Sequence, residues 1–231
     1  MVGFRAVGFD LDGTLFDHAG AARRAIVQFV SDVGGRRTEH TVSRWFEIEA
    51  EEFESWRSGR GSFVDQRRRR LQRFLPLIGV ADYLDDAALD AHFASYLSSY
   101  RREWRLFPGT RESLLALRES GARIGVLTNG DPAQQRDKLT ALGLLPLLDA
   151  VCISGEIGSS KPDPRSFGCL VDSLGVERSQ VLFIGDSEYH DVLGARAVGI
   201  RSALVDDSTR VDRISAAIRL ASGVPASSWL R

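Results

Sequence analysis

Runs of consecutive apolar residues alternate with helically spaced apolar residues over the second half of the chain. The runs predict short, buried strands at 122–127, 149–153, 180–184 and 201–205. The helical patterns lie between them, at 110–120, at 132–142, from Pro164 onward after the expected N-cap Asp163, and at 188–198. Alternating strands and helices with continuously apolar strands predict an α/β fold, with a parallel sheet covered on both faces.

The first part of the chain follows a different plan. Residues 4–10 form one more apolar run, which ends at Asp10 and opens into a glycine-containing turn. From residue 19 to about 105, apolar residues recur at helical spacing between glycine and proline breaks, which predicts about four helices. We therefore expect a core of residues 1–17 and 106–231 with an all-helical insert at 18–105, and one more helix near 210–221.

Composition and charge narrow the class of protein. The chain has 231 residues, 43% of them hydrophobic and 26% charged, with a net charge of −1, which is typical of globular proteins. A near-neutral chain does not attract nucleic acid or an anionic membrane. There is no apolar run of transmembrane length and no signal-peptide layout, and Cys152 and Cys169 lie in apolar contexts typical of reduced packing residues. We expect a cytoplasmic protein, either a monomer or a homodimer.

Lysine is rare in this sequence. Lys138 and Lys161 are the two lysines, against 28 arginines. A lysine in this chain is therefore not a default surface residue.

Polar residues follow four of the predicted strands. They are Asp10 and Asp12 after the first strand, Thr128 and Asn129 after 122–127, Lys161 after 149–153, and Asp186 with Asp191 after 180–184. The carboxyl ends of parallel strands meet at one edge of a sheet, so we expect these side chains to converge.

This set of side chains suits phosphoryl transfer. Carboxylates alone would repel a dianionic phosphate, so a hard divalent cation such as Mg²⁺ is expected between them, with Asp10 and Asp186 as oxygen ligands. Thr128 and Lys161 can bind the remaining phosphoryl oxygens. One carboxylate can attack phosphorus, and Asp12 can then protonate the leaving group and later activate water.

The four clusters resemble the motifs of the haloacid dehalogenase superfamily. In order along the chain, the matching segments are Asp10-Leu11-Asp12-Gly13-Thr14-Leu15, Thr128-Asn129-Gly130, Lys161-Pro162-Asp163-Pro164, and Gly185-Asp186-Ser187 with Asp191. The resemblance spans residues 4–205, and the helical insert is similar to the C1-type cap of this family. It implies a Rossmann-like parallel sheet core with an inserted all-helical cap domain that helps to choose the substrate.

The resemblance also implies a role for each matching residue. Asp10 would be the nucleophile and Asp12 the general acid/base, and Mg²⁺ would be held by Asp10, the Asp12 main-chain carbonyl and Asp186. Thr128, Asn129 and Lys161 would bind the substrate, with Thr128 and Lys161 stabilising the phosphoryl charge, and Asp191 would support the metal site.

These roles favour a Mg²⁺-dependent phosphatase acting on a small phosphorylated metabolite. A sugar phosphate, phosphoglycolate and a nucleoside monophosphate all fit as substrates. The dehalogenase branch of the family typically lacks an acid at the Asp12 position, so Asp12 favours the phosphatase branch. The alternatives are a dehalogenase-type or other non-phosphoryl hydrolase, and, less favoured, a phosphomutase or a non-catalytic binding protein.

Overall fold

The chain divides into two compact units. A computed structural model of the protein describes residues 4–80, 84–205, 214–216 and 218. One unit consists of Met1–Asp17 and Arg105–Arg231, and the other of His18–Trp104. The second boundary lies one residue before the one predicted from the sequence. Most of the helix predicted at 210–221 lies outside the described residues.

Within the described residues of the unit His18–Trp104, all the regular secondary structure is helical. Its four α-helices are α1 (His18–Asp32), α2 (Glu39–Arg57), α3 (Phe63–Phe74) and α4 (Asp86–Arg102), and a 3₁₀ turn, Leu75–Ile78, follows α3. The side chains of Thr38 and Ser62 cap α2 and α3 by accepting backbone N–H bonds. Trp45 is fully buried against Phe74 and Tyr96, so it belongs to the packed interior of this unit.

The other unit is built on a five-stranded parallel sheet. Its strands are β1 (Ala6–Phe9), β2 (Arg123–Thr128), β3 (Ala150–Ile153), β4 (Val181–Gly185) and β5 (Arg201–Leu204). They are ordered β3-β2-β1-β4-β5, and every pair is parallel. The three inner strands are almost wholly buried, because helices cover both faces of the sheet. The predicted α/β architecture is confirmed.

Short helices connect the strands. They are α5 (Thr110–Glu119), α6 (Pro132–Ala141), α7 (Ser154–Ile157), α8 (Pro164–Leu174) and α9 (Gly194–Ala197). Asp163 caps α8 as predicted, since its carboxylate accepts the Arg165 N–H at 2.8 Å. The segment predicted as one helix at 188–198 differs: a wider π-helical turn, Glu188–Leu193, precedes α9. Among the described helices, none is both long and apolar enough to span a membrane.

The strand order locates the expected ligand crevice. After β1, the chain adds β2 and β3 on one side of this central strand. It then returns and adds β4 and β5 on the other side, so the direction in which the sheet grows reverses at β1. In open parallel sheets, ligands bind at such a switch point, beyond the carboxyl ends of the strands. The residues that follow β1 and β4 therefore form the candidate site.

Candidate active site

The chain turns sharply immediately after β1. The Asp10 N–H still donates to Ile184 O on β4 at 2.9 Å, whereas Leu11 O accepts the N–H groups of both Leu15 and Phe16 at 3.0 Å. The tight turn depends on Gly13, whose φ of +89° is unfavourable for residues with a side chain. This geometry keeps Asp10 and Asp12 together at the end of the sheet.

Gly13 also makes room for Asp186, the acid that follows β4. A Cβ atom at residue 13 would lie 2.1 Å from Asp186 Oδ2, which is far inside contact distance. Although Asp186 is exposed as a residue, its carboxylate lies against the turn after β1. The first and fourth sequence clusters therefore meet, as predicted from the strand order.

Lys161 connects two of these acids. Its Nζ donates to Asp10 Oδ1 and to Asp191 Oδ1, both at 2.6 Å, and all three side chains are buried. Burial alone would lower the pKa of Lys161, but the two carboxylates outweigh it and raise that pKa above the ordinary value. Lys161 is therefore a fixed positive charge beside the predicted nucleophile.

The π-helical turn places Asp191. It brings the Asp191 carboxylate back so that Oδ2 accepts the Ser187 N–H at 3.0 Å while Oδ1 binds Lys161. Gly185 is needed beside it, since a Cβ there would lie 2.3 Å from the Asp191 carboxyl carbon. Turns of this type concentrate at functional sites, and here the turn aims a buried acid at a buried lysine.

Three acids share one ammonium group. Oxygens of Asp10, Asp186 and Asp191 lie within 4.8 Å of one another, and Lys161 is the cation bound to two of them. With all three acids ionised, two negative charges have no matching positive charge in this cluster. The pKa of Asp10 is raised well above its usual value, first by burial and then by its acidic neighbours. The pKa of Asp186 is raised to about 6, by desolvation of its carboxyl and by Asp191.

The donor set fits a divalent cation. Asp10 Oδ2 is buried and has no hydrogen-bond partner among the described residues, an arrangement that is costly unless a ligand satisfies the oxygen. A doubly charged, oxygen-seeking ion would satisfy that oxygen and neutralise the excess charge of the cluster. Asp191 has both oxygens engaged already, which leaves Asp10 and Asp186 as the available carboxylate ligands.

Thr128 and Asn129 follow β2 at the same edge of the sheet. Thr128 is buried, and its hydroxyl lies 2.6 Å from Gln135 Nε2. Both ends of the Asn129 side-chain amide form hydrogen bonds with the backbone of Lys161. Asn129 Oδ1 accepts from the Lys161 N–H at 2.8 Å, and Asn129 Nδ2 donates to the Lys161 carbonyl at 3.0 Å. Asn129 thus joins the loops after β2 and β3, and its predicted contact with substrate stays a prediction.

Two residues of α6 join the site without having been predicted from the sequence. Lys138 Nζ donates to both oxygens of Asp12, at 2.7 and 2.8 Å, and Gln135 Nε2 lies 2.9 Å from Asp12 Oδ2. The rarity of lysine was the available signal, because both lysines of the chain lie here. Gln135 offers no comparable sequence signal.

The family of the chain can be decided from comparison with known proteins. The family model described as haloacid dehalogenase-like hydrolase matches residues 4–199. The chain belongs to the haloacid dehalogenase-like hydrolases. This confirms the resemblance drawn from the four motifs.

Two relatives of this haloacid dehalogenase-like chain carry phosphatase names. Ribulose-1,5-bisphosphate 5-phosphatase of Halopiger xanaduensis is 30% identical over 224 residues, covering 94% of this chain and 90% of that protein. Phosphoserine phosphatase of Thermus thermophilus is 40% identical over 110 residues, 48% of this chain and 44% of that protein. The second match therefore spans less than half of its relative. These relatives and the family place the chain among phosphoric monoester hydrolases.

A solved structure confirms the fold of the family. The HAD-hydrolase YfnB of Bacillus subtilis, solved with bound magnesium, has a TM-score of 0.74 and 21% identity, covering 89% of this chain and 88% of that chain. At this identity the likeness shows the Rossmann-like fold, and the roles of individual residues must be argued from the geometry of this protein.

Proposed function

We propose that this protein is a Mg²⁺-dependent phosphatase that hydrolyses a small phosphomonoester through an aspartyl-phosphate at Asp10. The observation that carries the proposal is the cluster of Asp10, Asp186 and Asp191 with one ammonium, Lys161, and one buried oxygen on Asp10 that has no hydrogen-bond partner among the described residues. A cluster with excess negative charge would repel a dianionic substrate unless a cation were bound with it. Asp10, Asp186 and the Asp12 main-chain carbonyl would hold Mg²⁺, which when bound supplies charge neutralisation for the phosphoryl group.

The side chains of the protein then divide the work of two displacements. In the first, an Asp10 carboxylate oxygen bonds to phosphorus, the bond from phosphorus to the ester oxygen breaks, and Asp12 gives its proton to that oxygen. In the second, Asp12 takes a proton from water, whose oxygen bonds to phosphorus and displaces the Asp10 carboxylate. Lys161 and the Thr128 hydroxyl would stabilise the phosphoryl oxygens in both steps. The products are an alcohol and inorganic phosphate.

The class of substrate follows from the reaction and the relatives. Both named relatives act on small phosphorylated metabolites according to their names. A sugar phosphate, phosphoglycolate and a nucleoside monophosphate remain the candidate substrates, and the helical unit is proposed as the cap that selects among them. Metabolites of this kind support a cytoplasmic location.

The proposal is tested by phosphate release from a panel of these three classes of phosphomonoester. We expect turnover that EDTA abolishes and added Mg²⁺ restores. Activity that EDTA does not change, with halide released from a 2-haloacid, would instead identify the dehalogenase-type alternative. Isomerised sugar phosphate without free phosphate would identify a mutase, and no turnover on any member of the panel would support a binding protein.

Mg²⁺ should stabilise the fold more strongly as the pH rises. In the metal-free protein the pKa of Asp186 is about 6, above the ordinary value of 3.8, so the folded state holds this proton more tightly than the unfolded chain. The contribution of Asp186 to the free energy of unfolding is therefore complete below about pH 4, and it is lost as the pH rises through about 6. Mg²⁺ competes with that proton, so its binding strengthens over the same range.

The measurement is the melting temperature with and without saturating Mg²⁺ at about pH 5 and about pH 7.5. We expect an increase of about 5 °C at the higher pH and a much smaller one at the lower pH. The Asp186→Asn variant, which lacks one of the two proposed carboxylate ligands, should show little Mg²⁺ effect at either pH. An equal Mg²⁺ effect at both pH values in the unmodified protein would contradict the assignment of Asp186 as a ligand.

A further inference from the structure

Lys138 is buried on the inner face of α6. It is 3% exposed, and Gln135, three residues earlier on the same face of the helix, is 2% exposed. A lysine is almost never buried to this extent without a partner for its charge. Asp12, the predicted general acid/base, provides a partner carboxylate for this charge.

Both oxygens of the Asp12 carboxylate accept hydrogen bonds. Lys138 Nζ lies 2.7 Å from Oδ1 and 2.8 Å from Oδ2, and it sits 5.3 Å from the centre of the Phe16 ring. Gln135 Nε2 approaches Asp12 Oδ2 at 2.9 Å and Thr128 Oγ1 at 2.6 Å. One amide group therefore bridges the predicted general acid/base and the predicted phosphoryl ligand Thr128.

The two lysines of the chain contact the two acids of the first motif in different ways. Lys161 binds one oxygen of Asp10 and leaves the other, to which the divalent cation was assigned above, without a hydrogen-bond partner among the described residues. Lys138 binds both oxygens of Asp12 and so fixes the plane of that carboxylate. A general acid/base needs a fixed orientation, because proton transfer requires hydrogen-bond reach to one atom of the substrate or of the attacking water.

We infer that Lys138 and Gln135 are positioning residues that hold the Asp12 carboxylate in line with the leaving group. The inference rests on the proposed phosphatase function and adds two residues to it. Neither residue needs to touch the substrate, since each acts through Asp12. A misplacement of about 1 Å in a catalytic group can reduce the rate about 100-fold. We expect an effect of this size when the hydrogen bonds from Lys138 to Asp12 are removed.

The dependence on the leaving group separates this role from a structural one. An alkyl phosphate expels a basic alkoxide and needs a well-placed proton donor, whereas p-nitrophenyl phosphate expels a stable phenolate and needs one far less. We expect Lys138→Met to lower kcat/KM about 100-fold for the best alkyl phosphomonoester of the panel and about tenfold or less for p-nitrophenyl phosphate. This ratio reports the steps up to the aspartyl-phosphate, in which Asp12 is the acid.

A double-mutant cycle with Asp12→Asn gives the decisive comparison. Once Asp12 has lost its carboxyl group there is nothing left to position, so Lys138→Met added to Asp12→Asn should change kcat/KM by less than about threefold. Equal losses on the two substrates, or a full additional loss in the double variant, would overturn the inference while leaving the phosphatase activity established. An unmodified protein that hydrolyses neither substrate would instead overturn the proposed function and this inference together.

Two further variants guard against a simple folding defect. Gln135→Leu removes the amide bridge without changing any charge, and it should show the same preference for the aryl phosphate with a smaller loss. Arg136→Met is the matched control, because Arg136 lies on the same helix but is exposed and pairs with Glu156 at the surface. It should stay within about twofold of the unmodified protein on both substrates. A loss in Arg136→Met equal to that in Lys138→Met would also overturn the inference.

Discussion

Asp10→Asn should reduce phosphate release about 10⁴-fold or more while leaving the fold intact. The amide is nearly the same size as the carboxyl, but it is a poor nucleophile and carries no charge to hold a divalent cation. Asp10 is also the only acid of the cluster that combines contact to Lys161 with an unsatisfied buried oxygen, among the residues that the structure describes. Removing its charge relieves repulsion from Asp186 and Asp191, so a loss of activity with unchanged or raised melting temperature is the expected pattern.

Two measurements make this prediction specific. Acid-quenched unmodified protein should carry phosphate that hydroxylamine releases, as an acyl phosphate does, and Asp10→Asn should carry none. Asp172→Asn is the control, because Asp172 is an exposed acid near the C-terminal end of α8. It should retain nearly full activity. Near-normal turnover by Asp10→Asn would remove the aspartyl-phosphate from the mechanism.

Lys161→Met should damage both stability and activity. Lys161 is 3% exposed, and its loss would leave the buried carboxylates of Asp10 and Asp191 facing each other without their shared cation. Removing one partner from a buried ion pair costs about 3–5 kcal/mol of unfolding free energy. The loss of a charge beside the phosphoryl group should lower kcat about 10²–10³-fold.

Lys161→Arg tests whether charge alone is enough. A guanidinium is planar and larger than an ammonium. The two carboxylate oxygens that accept from Lys161 both lie 2.6 Å from its single nitrogen atom, Nζ. We therefore expect this variant to recover little activity. Arg165→Met is the control, since Arg165 forms an exposed pair with Asp163 and its side chain is 72% exposed. Its unfolding free energy, measured by urea denaturation, should change by less than about 0.5 kcal/mol. A Lys161→Met protein as stable as the unmodified one would show that the acid cluster does not depend on this cation.

The convergence of the site was predictable from the sequence because strand direction decides it. Asp10, Thr128, Lys161 and Asp186 each follow an apolar run, and parallel strands bring their carboxyl ends to one edge. Their local motifs and spacing were enough to indicate phosphoryl transfer before any contact was known. The scarcity of lysine also marked Lys138 and Lys161 as unusual, although it did not indicate what Lys138 contacts.

The tertiary structure supplied the relations that depend on packing between distant segments. A regular helix was predicted at 188–198, but the π-helical turn there is what brings Asp191 to Lys161, and its wider geometry leaves no signature in hydrophobic spacing. The structure also shows that the Asn129 side-chain amide is hydrogen-bonded to the backbone of Lys161, which its motif did not indicate, and the predicted contact of Asn129 with substrate stays a prediction.

The sequence by itself determined the class of fold, the family and the edge of the sheet where the chemistry lies, because these follow from local periodicity and from short motifs. Only the tertiary structure decided how the charges are paired. Helix α6 was predicted at 132–142, but the carboxylate that meets its inner face depends on how the helix docks on the sheet. That docking places Gln135 and Lys138 on Asp12, more than a hundred residues away along the chain.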